Sequence, residues 1–203
     1  MYLALLQHGV LPDEGVLLDL GCGQGLLLSL LQVAKEQHAA GRWPRGWPAP
    51  PSRLALRGID AHAGRVDIAR RALGASVQLE QRDLRGIDLP HPCCVVAMID
   101  VLLYLPAGEP ERLIRKVAQA LDPGGMLLLR EPDAGAGLAF RLTQFGSWFD
   151  ALTRGRWRAP IHYRSAGHWN AVLASEGLSV EAQPMSRGTP FANVLFVARK
   201  AAG

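Results

Sequence analysis

A chain of 203 residues with 49% hydrophobic and 20% charged side chains has the balance of one folded globular domain, which excludes a disordered or fibrous polymer. Its net charge of +4 is too mild for the dense basic face of a dedicated nucleic-acid binder, and no apolar run approaches the ~18 residues that span a bilayer. The start MYLALLQHGV lacks the basic region and cleavage site of a secretory leader, so a cytoplasmic home is expected. Three cysteines, Cys22, Cys93 and Cys94, have no metal-ligand spacing and read as small apolar side chains in a reducing compartment. All the basic residues except Lys35, Lys116 and Lys200 are arginine, which hints at a GC-rich bacterial genome.

In chain order, the apolar run at 15–20 predicts a buried parallel strand. The turn Gly21-Cys22-Gly23-Gln24-Gly25 follows it, and a helix is expected over 24–39. The segment GRWPRGWPAPP at 41–51 cannot be helix or core strand, because its prolines and glycines break both. It reads as an insertion at the N-terminal edge of the sheet, with a structural or contact role. Further strands are expected at 54–59, 76–81, 93–99 and 125–131, with helices at 62–73 and 108–120. After helical stretches at 137–153 and 166–176 come LSVEAQP and ANVLFVAR, which suit an antiparallel hairpin. The result is an α/β, Rossmann-like, doubly wound sheet of seven strands, mostly parallel, with an antiparallel C-terminal hairpin. A single domain over 1–203 accounts for all of it.

The ligand is argued from the carboxylates. A dinucleotide turn reads GxGxxG and greets a pyrophosphate with helix N–H groups, whereas here the spacing is GxGxG and Asp19 stands two residues before it. A carboxylate there repels a pyrophosphate and favours a cation. S-adenosylmethionine fits, because it carries an α-ammonium and a sulfonium, and its own carboxylate can use the loop amides. Asp60 closes the next strand 35 residues after Gly25, or 24 once residues 41–51 are set aside, and can accept both ribose hydroxyls. Asp83 closes the third unit where an adenine amino group would lie, with Ala61 and Leu84 as apolar surface for the ring. Each acid also has a plainer reading: Asp60 as a helix cap, and Asp83 paired with Arg82 or Arg85.

With these residues the chain resembles class I S-adenosylmethionine-dependent methyltransferases of the small-molecule type. The motifs map in order onto LLDLGCGQG, GID at 58–60, RDL at 82–84, MIDVLLYLP at 98–106 and LDPGGMLLLREPD at 121–133. The resemblance implies that Asp19, Gly21 and Gly23, with Cys22 in the same turn, hold the methionine part, Asp60 the ribose, and Asp83 with Leu84 the adenine, beside Ala61. Asp100 and Val101 would line the pocket floor, and S-adenosylhomocysteine would be the product. One departure stands out: many relatives carry a histidine in the fourth motif, where this chain has Leu103. The N-terminal helical cap common in the family is also short, with about 14 residues before the first strand.

The replacement cap is expected at 134–165, a lid over the substrate site. Leu138, Leu142, Phe145, Phe149 and Leu152 recur there at helical spacing, as core packing or a docking stripe, and Phe140, Trp148, Trp157 and Tyr163 add aromatic surface. An apolar or aromatic acceptor follows. Arg141, Arg154, Arg156, Arg158 and Arg164, opposed only by Asp150, add a negative charge to it, carried by the small molecule itself or by an acidic carrier protein; a solvated helix face explains them too. Methyl transfer depends mainly on alignment, and an oxygen acceptor gains from a base. The candidates are Glu131, His162 and Tyr163, with Tyr104 behind them. No metal is expected, nor a nucleic-acid partner, since the NPPY-like segment of amino-group enzymes is absent. A monomer or homodimer is expected. The competing readings are a non-catalytic cofactor-binding partner or regulatory subunit, a nucleic-acid methyltransferase and, more remotely, a nicotinamide oxidoreductase.

Overall fold

The structure, a computed structural model, describes residues 2–89, 93–137, 140, 161–185 and 192–203. Among them the chain runs α1 (Tyr2–Gln7), β1 (Glu14–Leu20), α2 (Leu26–Ala39), β2 (Arg53–Asp60), α3 (Ala63–Leu73) and β3 (Gln78–Gln81). It continues with β4 (Cys93–Ile99), α4 (Glu109–Ala120), β5 (Leu121–Pro132), α5 (Ala166–Ser175), β6 (Leu178–Pro184) and β7 (Asn193–Lys200). The described strands form one seven-stranded sheet ordered β3-β2-β1-β4-β5-β7-β6, with β7 antiparallel to both β5 and β6. The strand order reverses beside β1, where β2 lies on one side and β4 on the other. Open α/β sheets bind their ligands at the carboxyl ends of the strands at such a point.

Alternation along the strands divides the core into two layers. One contains Leu18, Leu20, Val96, Met98, Leu127 and Leu129 under α4 and α5, with Ile114, Trp169 and Leu173 fully buried. The other contains Leu17, Val95, Ala97, Met126 and Leu128, covered by Leu27, Leu28 and Leu31 of α2 and by Ala69 and Leu73 of α3. Both central strands are thus apolar on both faces, which is why they read as continuous rather than alternating runs.

Three elements differ from their sequence expectation, of which β3 only starts later, at Gln78 rather than 76, after a 3-10 turn over Gly74–Ser76. The six residues of α1 form a helix too short to stand alone; it exists because Leu5 and Leu6 are buried in the second layer. The fifth strand begins at Leu121, not 125, because Leu121 bridges Cys93 before a register shift leads into the Val95–Met126 pairing. Residues 41–51 run past the start of β1. There Trp43 and Trp47 meet edge to face and pack on the second layer, and Trp43 Nε1 donates to the Pro48 carbonyl at 2.8 Å. The Asp13 carboxylate ties the chain leaving this segment to the same end of the sheet by accepting from Ser52 N and Oγ.

Candidate cofactor cleft and its surroundings

The glycine turn hangs on the second strand: the N–H groups of Gly21 and Cys22 both donate to the Ile59 carbonyl, at 2.7 and 3.0 Å. Gly21, Gly23 and Gly25 all have positive φ, which side chains rarely tolerate. Space constrains two of them further. A Cβ on Gly21 would overlap Val101, and one on Gly25 would crowd Leu73 and Ala69 of α3. Gly23 faces open space. No side chain caps the start of α2, so its first N–H groups are left for a ligand anion.

Around this turn the acids take different positions. Asp60, buried, accepts from Gly23 N at 3.0 Å through one oxygen and from His62 N at 2.8 Å through the other. It therefore does what a helix cap does, and it also braces the glycine turn; each oxygen keeps a lone pair for a hydroxyl. Asp19 is buried on β1 behind the turn, where burial and then the nearby Asp60 push its carboxyl up to about 7. A cation arriving there would reverse that shift. Cys22 is buried and its thiol is pushed up to about 12, mainly by burial, so it is a packing group and not a nucleophile.

An open cleft of about 390 Å³ runs from this turn along the strand ends. Gly21, Asp60, Ala61, Asp83, Leu84 and Val101 all line it, and so do Arg85 and Tyr104, named from the sequence only as a partner for Asp83 and as a candidate base, and His62 and Arg65, which sequence reasoning did not place there. The structure thus gathers most of the expected cofactor residues around one space. Asp83 is also claimed by Arg85, whose backbone N–H and guanidinium both reach its carboxylate, and these bonds hold it below the usual carboxylate range. Arg85 stands two residues after Asp83, and that spacing was the available signal. The cleft has the size of a small-molecule site. Its donor set suits a zwitterionic nucleoside: an acid behind the turn, free helix N–H groups, an open glycine and a second acid at the neighbouring strand end.

Among the three candidate bases, Glu131 is buried and its Oε1 accepts from Val101 N at 3.1 Å and Leu102 N at 2.8 Å. Burial pushes its carboxyl up to about 8. The wall formed by Val101 is therefore held from below by β5. The backbone N–H of His162 donates to the Leu103 carbonyl at 2.8 Å, so it lies against the turn that carries Tyr104 into the cleft. Tyr163 meets Phe140 edge to face at 5.0 Å. Asp100 follows β4 and pairs with Arg130, a contact that the sequence pattern did not announce.

Within the expected lid, residues 141–160, Leu138 and the arginines at 141, 154, 156 and 158 lie outside the described residues. Arg164 is described. Its Nε binds Glu111 at 3.1 Å, and its guanidinium lies 5.6 Å above the Trp169 ring, so it anchors the chain to α4. Asp133 ties the same region to the end of β5 by accepting from Gly135 N and Ala166 N.

A family model described as a methyltransferase domain matches residues 2–183. Trans-aconitate 2-methyltransferase from Azoarcus sp. (strain BH72) is 29% identical over 160 residues, 77% of this chain and 55% of that protein. Carboxy-S-adenosyl-L-methionine synthase from Chromohalobacter salexigens is 30% identical over 118 residues, 56% of this chain and 38% of that protein. The chain thus spans about half the length of the curated relatives it matches. The crystal structure of magnesium protoporphyrin IX methyltransferase from Synechocystis PCC 6803 with bound SAH shares the fold. Its TM-score is 0.66 and its identity 21%, over 98% of this chain and 80% of that one.

Proposed function

Because the chain belongs to the methyltransferase domain family, we propose that it is an S-adenosylmethionine-dependent methyltransferase acting on a small acceptor. The observation that carries this reading is the glycine turn set between Asp19 and Asp60 at the mouth of the cleft. Asp19 receives the α-ammonium, and the open N–H groups at the start of α2 receive the α-carboxylate. Asp60 holds the ribose hydroxyls. Leu84 and Ala61 flank the adenine, with Asp83 at its amino edge. Val101 and Asp100 close the floor. The cofactor supplies a methyl carbon on a sulfonium, which departs as a neutral thioether.

The chain's own contribution is alignment. Glu131 fixes the 101–103 turn, and this turn in turn bears on Gly21. His162 and Tyr163, at the end of the segment 134–165 that we take as the lid, are the candidates to take up an acceptor proton. The acceptor is apolar or aromatic and carries a negative charge, on the small molecule or on an acidic carrier protein. The basic residues of the lid support the charge, and so does the kinship with an enzyme named for trans-aconitate.

The test is calorimetry with S-adenosylmethionine, S-adenosylhomocysteine and NAD, followed by incubation with methyl-labelled cofactor and fractionated bacterial extract. Binding of the first two without NAD, and label in a small organic product, are expected. Equal affinity for NAD, or binding with no transfer to any fraction, overturns the reading; the second result would leave a non-catalytic subunit. Similarity to a carboxy-S-adenosyl-L-methionine synthase favours a second reading, modification of the cofactor itself. Mass spectrometry of the spent nucleoside separates the two, since methyl transfer leaves S-adenosylhomocysteine.

A further inference from the structure

Arg130 and Asp100 form a pair that the chain's own architecture leaves incomplete. An arginine and a carboxylate prefer two parallel N–H···O bonds. Here a single contact joins Arg130 Nη1 to Asp100 Oδ2. Arg130 Nε and Asp100 Oδ1 are both buried with no hydrogen-bond partner, a state that costs free energy in a folded chain. Asp100 also has φ 55, and it is the one non-glycine residue with positive φ among those described. Strain of this kind persists where the surroundings impose it, and it collects at ligand sites. Those two atoms are sealed from solvent, but the side chains keep 22% and 40% of their surface open, so a ligand can reach the guanidinium at its other atoms.

The position of the pair gives this incompleteness a purpose. Arg130 lies opposite Ile99 in the β4–β5 ladder, on the sheet face whose lower layer is Leu17, Ala97 and Leu128. Asp19 lies on the same face, level with Ala97 and Leu128. Two strand spacings and two residues of rise separate the backbones of Asp19 and Arg130 by roughly 12 Å. Val101, next to Asp100, abuts Gly21 and lines the cleft. The strand ends thus present acids at β1 and β2, and at β4 and β5 the cation Arg130 paired with Asp100 and next in sequence to the buried Glu131.

We propose that Arg130, held end-on by Asp100, recognises a carboxylate on the methyl acceptor. The inference rests on the methyltransferase reading and names the acceptor's chemical class and the residue that selects it. The acceptor's carboxylate takes the face of the guanidinium that Asp100 does not use. Asp60, which accepts two backbone N–H groups at the end of β2, disfavours a second carboxylate on that side of the cleft.

The test begins with wild-type protein, methyl-labelled cofactor and an extract divided on an anion exchanger. Label is expected in the retained fraction, and label only in the unretained fraction overturns the inference while leaving methyl transfer standing. With the acceptor so isolated, Arg130→Gln should raise KM at least tenfold with a smaller change in kcat. Affinity for S-adenosylhomocysteine, measured by calorimetry, should stay within about twofold. Arg130→Lys, which keeps the charge without the fork, should fall between; it also serves if the glutamine variant melts below the assay temperature. An unchanged KM in either folded variant overturns the proposal. If wild type neither binds S-adenosylhomocysteine nor transfers label, the broader reading fails and this one with it.

Discussion

At the scale of single residues, the acids of the cleft differ in what they ask of a ligand. Asp60 already accepts two backbone N–H groups, so its side chain is pre-positioned for hydroxyls. Asp60→Ala should weaken S-adenosylhomocysteine binding by about 1–3 kcal/mol, the size of lost bonds to a charged acceptor. Calorimetry reads this, and unchanged affinity would leave Asp60 as a brace for the glycine turn alone. Asp19 behaves differently because burial keeps its proton on to about pH 7. A ligand ammonium favours the ionised form, so binding expels a proton below that pH. Cofactor affinity should therefore climb by up to about tenfold per pH unit until about pH 7, then level off. Asp19→Asn should bind weakly with no such slope; a sloping profile in that variant would assign the titration elsewhere.

At the scale of elements, α4 shows how a distant strand finishes a helix. Its apolar face, Leu113, Ile114 and Val117, is legible as a 3.6-residue stripe. Its C-terminal end is not, because the cap comes from 82 residues away: Lys200 Nζ donates to the carbonyls of Ala118, Gln119 and Leu121 at 3.0, 3.2 and 2.7 Å. A cation at a helix C-terminus that also fills orphan acceptors contributes on the order of 1–2 kcal/mol. Lys200→Met should lower the unfolding free energy by that amount, read as a lower urea midpoint at unchanged m, without changing cofactor affinity, since the cap sits at the opposite end of the sheet from the cleft. A midpoint equal to wild type would mean that water replaces the amine without cost.

At the scale of the whole molecule, two buried carboxyls with raised values, Asp19 at about 7 and Glu131 at about 8, and Asp100, raised by burial against the pull of Arg130, contribute to the pH response of the empty protein in one direction. Between their unfolded values near 4 and these folded values the native chain holds more protons than the unfolded one, so stability falls as pH rises. Denaturant midpoints without ligand should decrease from about pH 5 to 8. Saturating S-adenosylhomocysteine should offset the Asp19 share, because its ammonium stabilises the ionised form. A midpoint that rises over this range would show that none of these carboxyls is held protonated.

The sequence by itself determined the order of strands and helices, the glycine turn and the acids at successive strand ends. These are local: hydrophobic period, positive-φ chemistry and a residue's place at the end of a run are all carried by neighbours in the chain. It also offered Arg82 or Arg85 as a partner for Asp83, and the structure takes Arg85, two residues away, while Arg82 pairs with Glu80. Only the tertiary structure decided the rest. Glu131 became the support of Val101 and Leu102 because β5 pairs with β4. Arg130 met Asp100 through the same ladder, Lys200 reached α4 through the antiparallel hairpin, and α1 became a helix when Leu5 and Leu6 found the second core layer. Each of these joins residues brought together by strand pairing or core burial, and such contacts depend on register and packing that no short window of sequence contains.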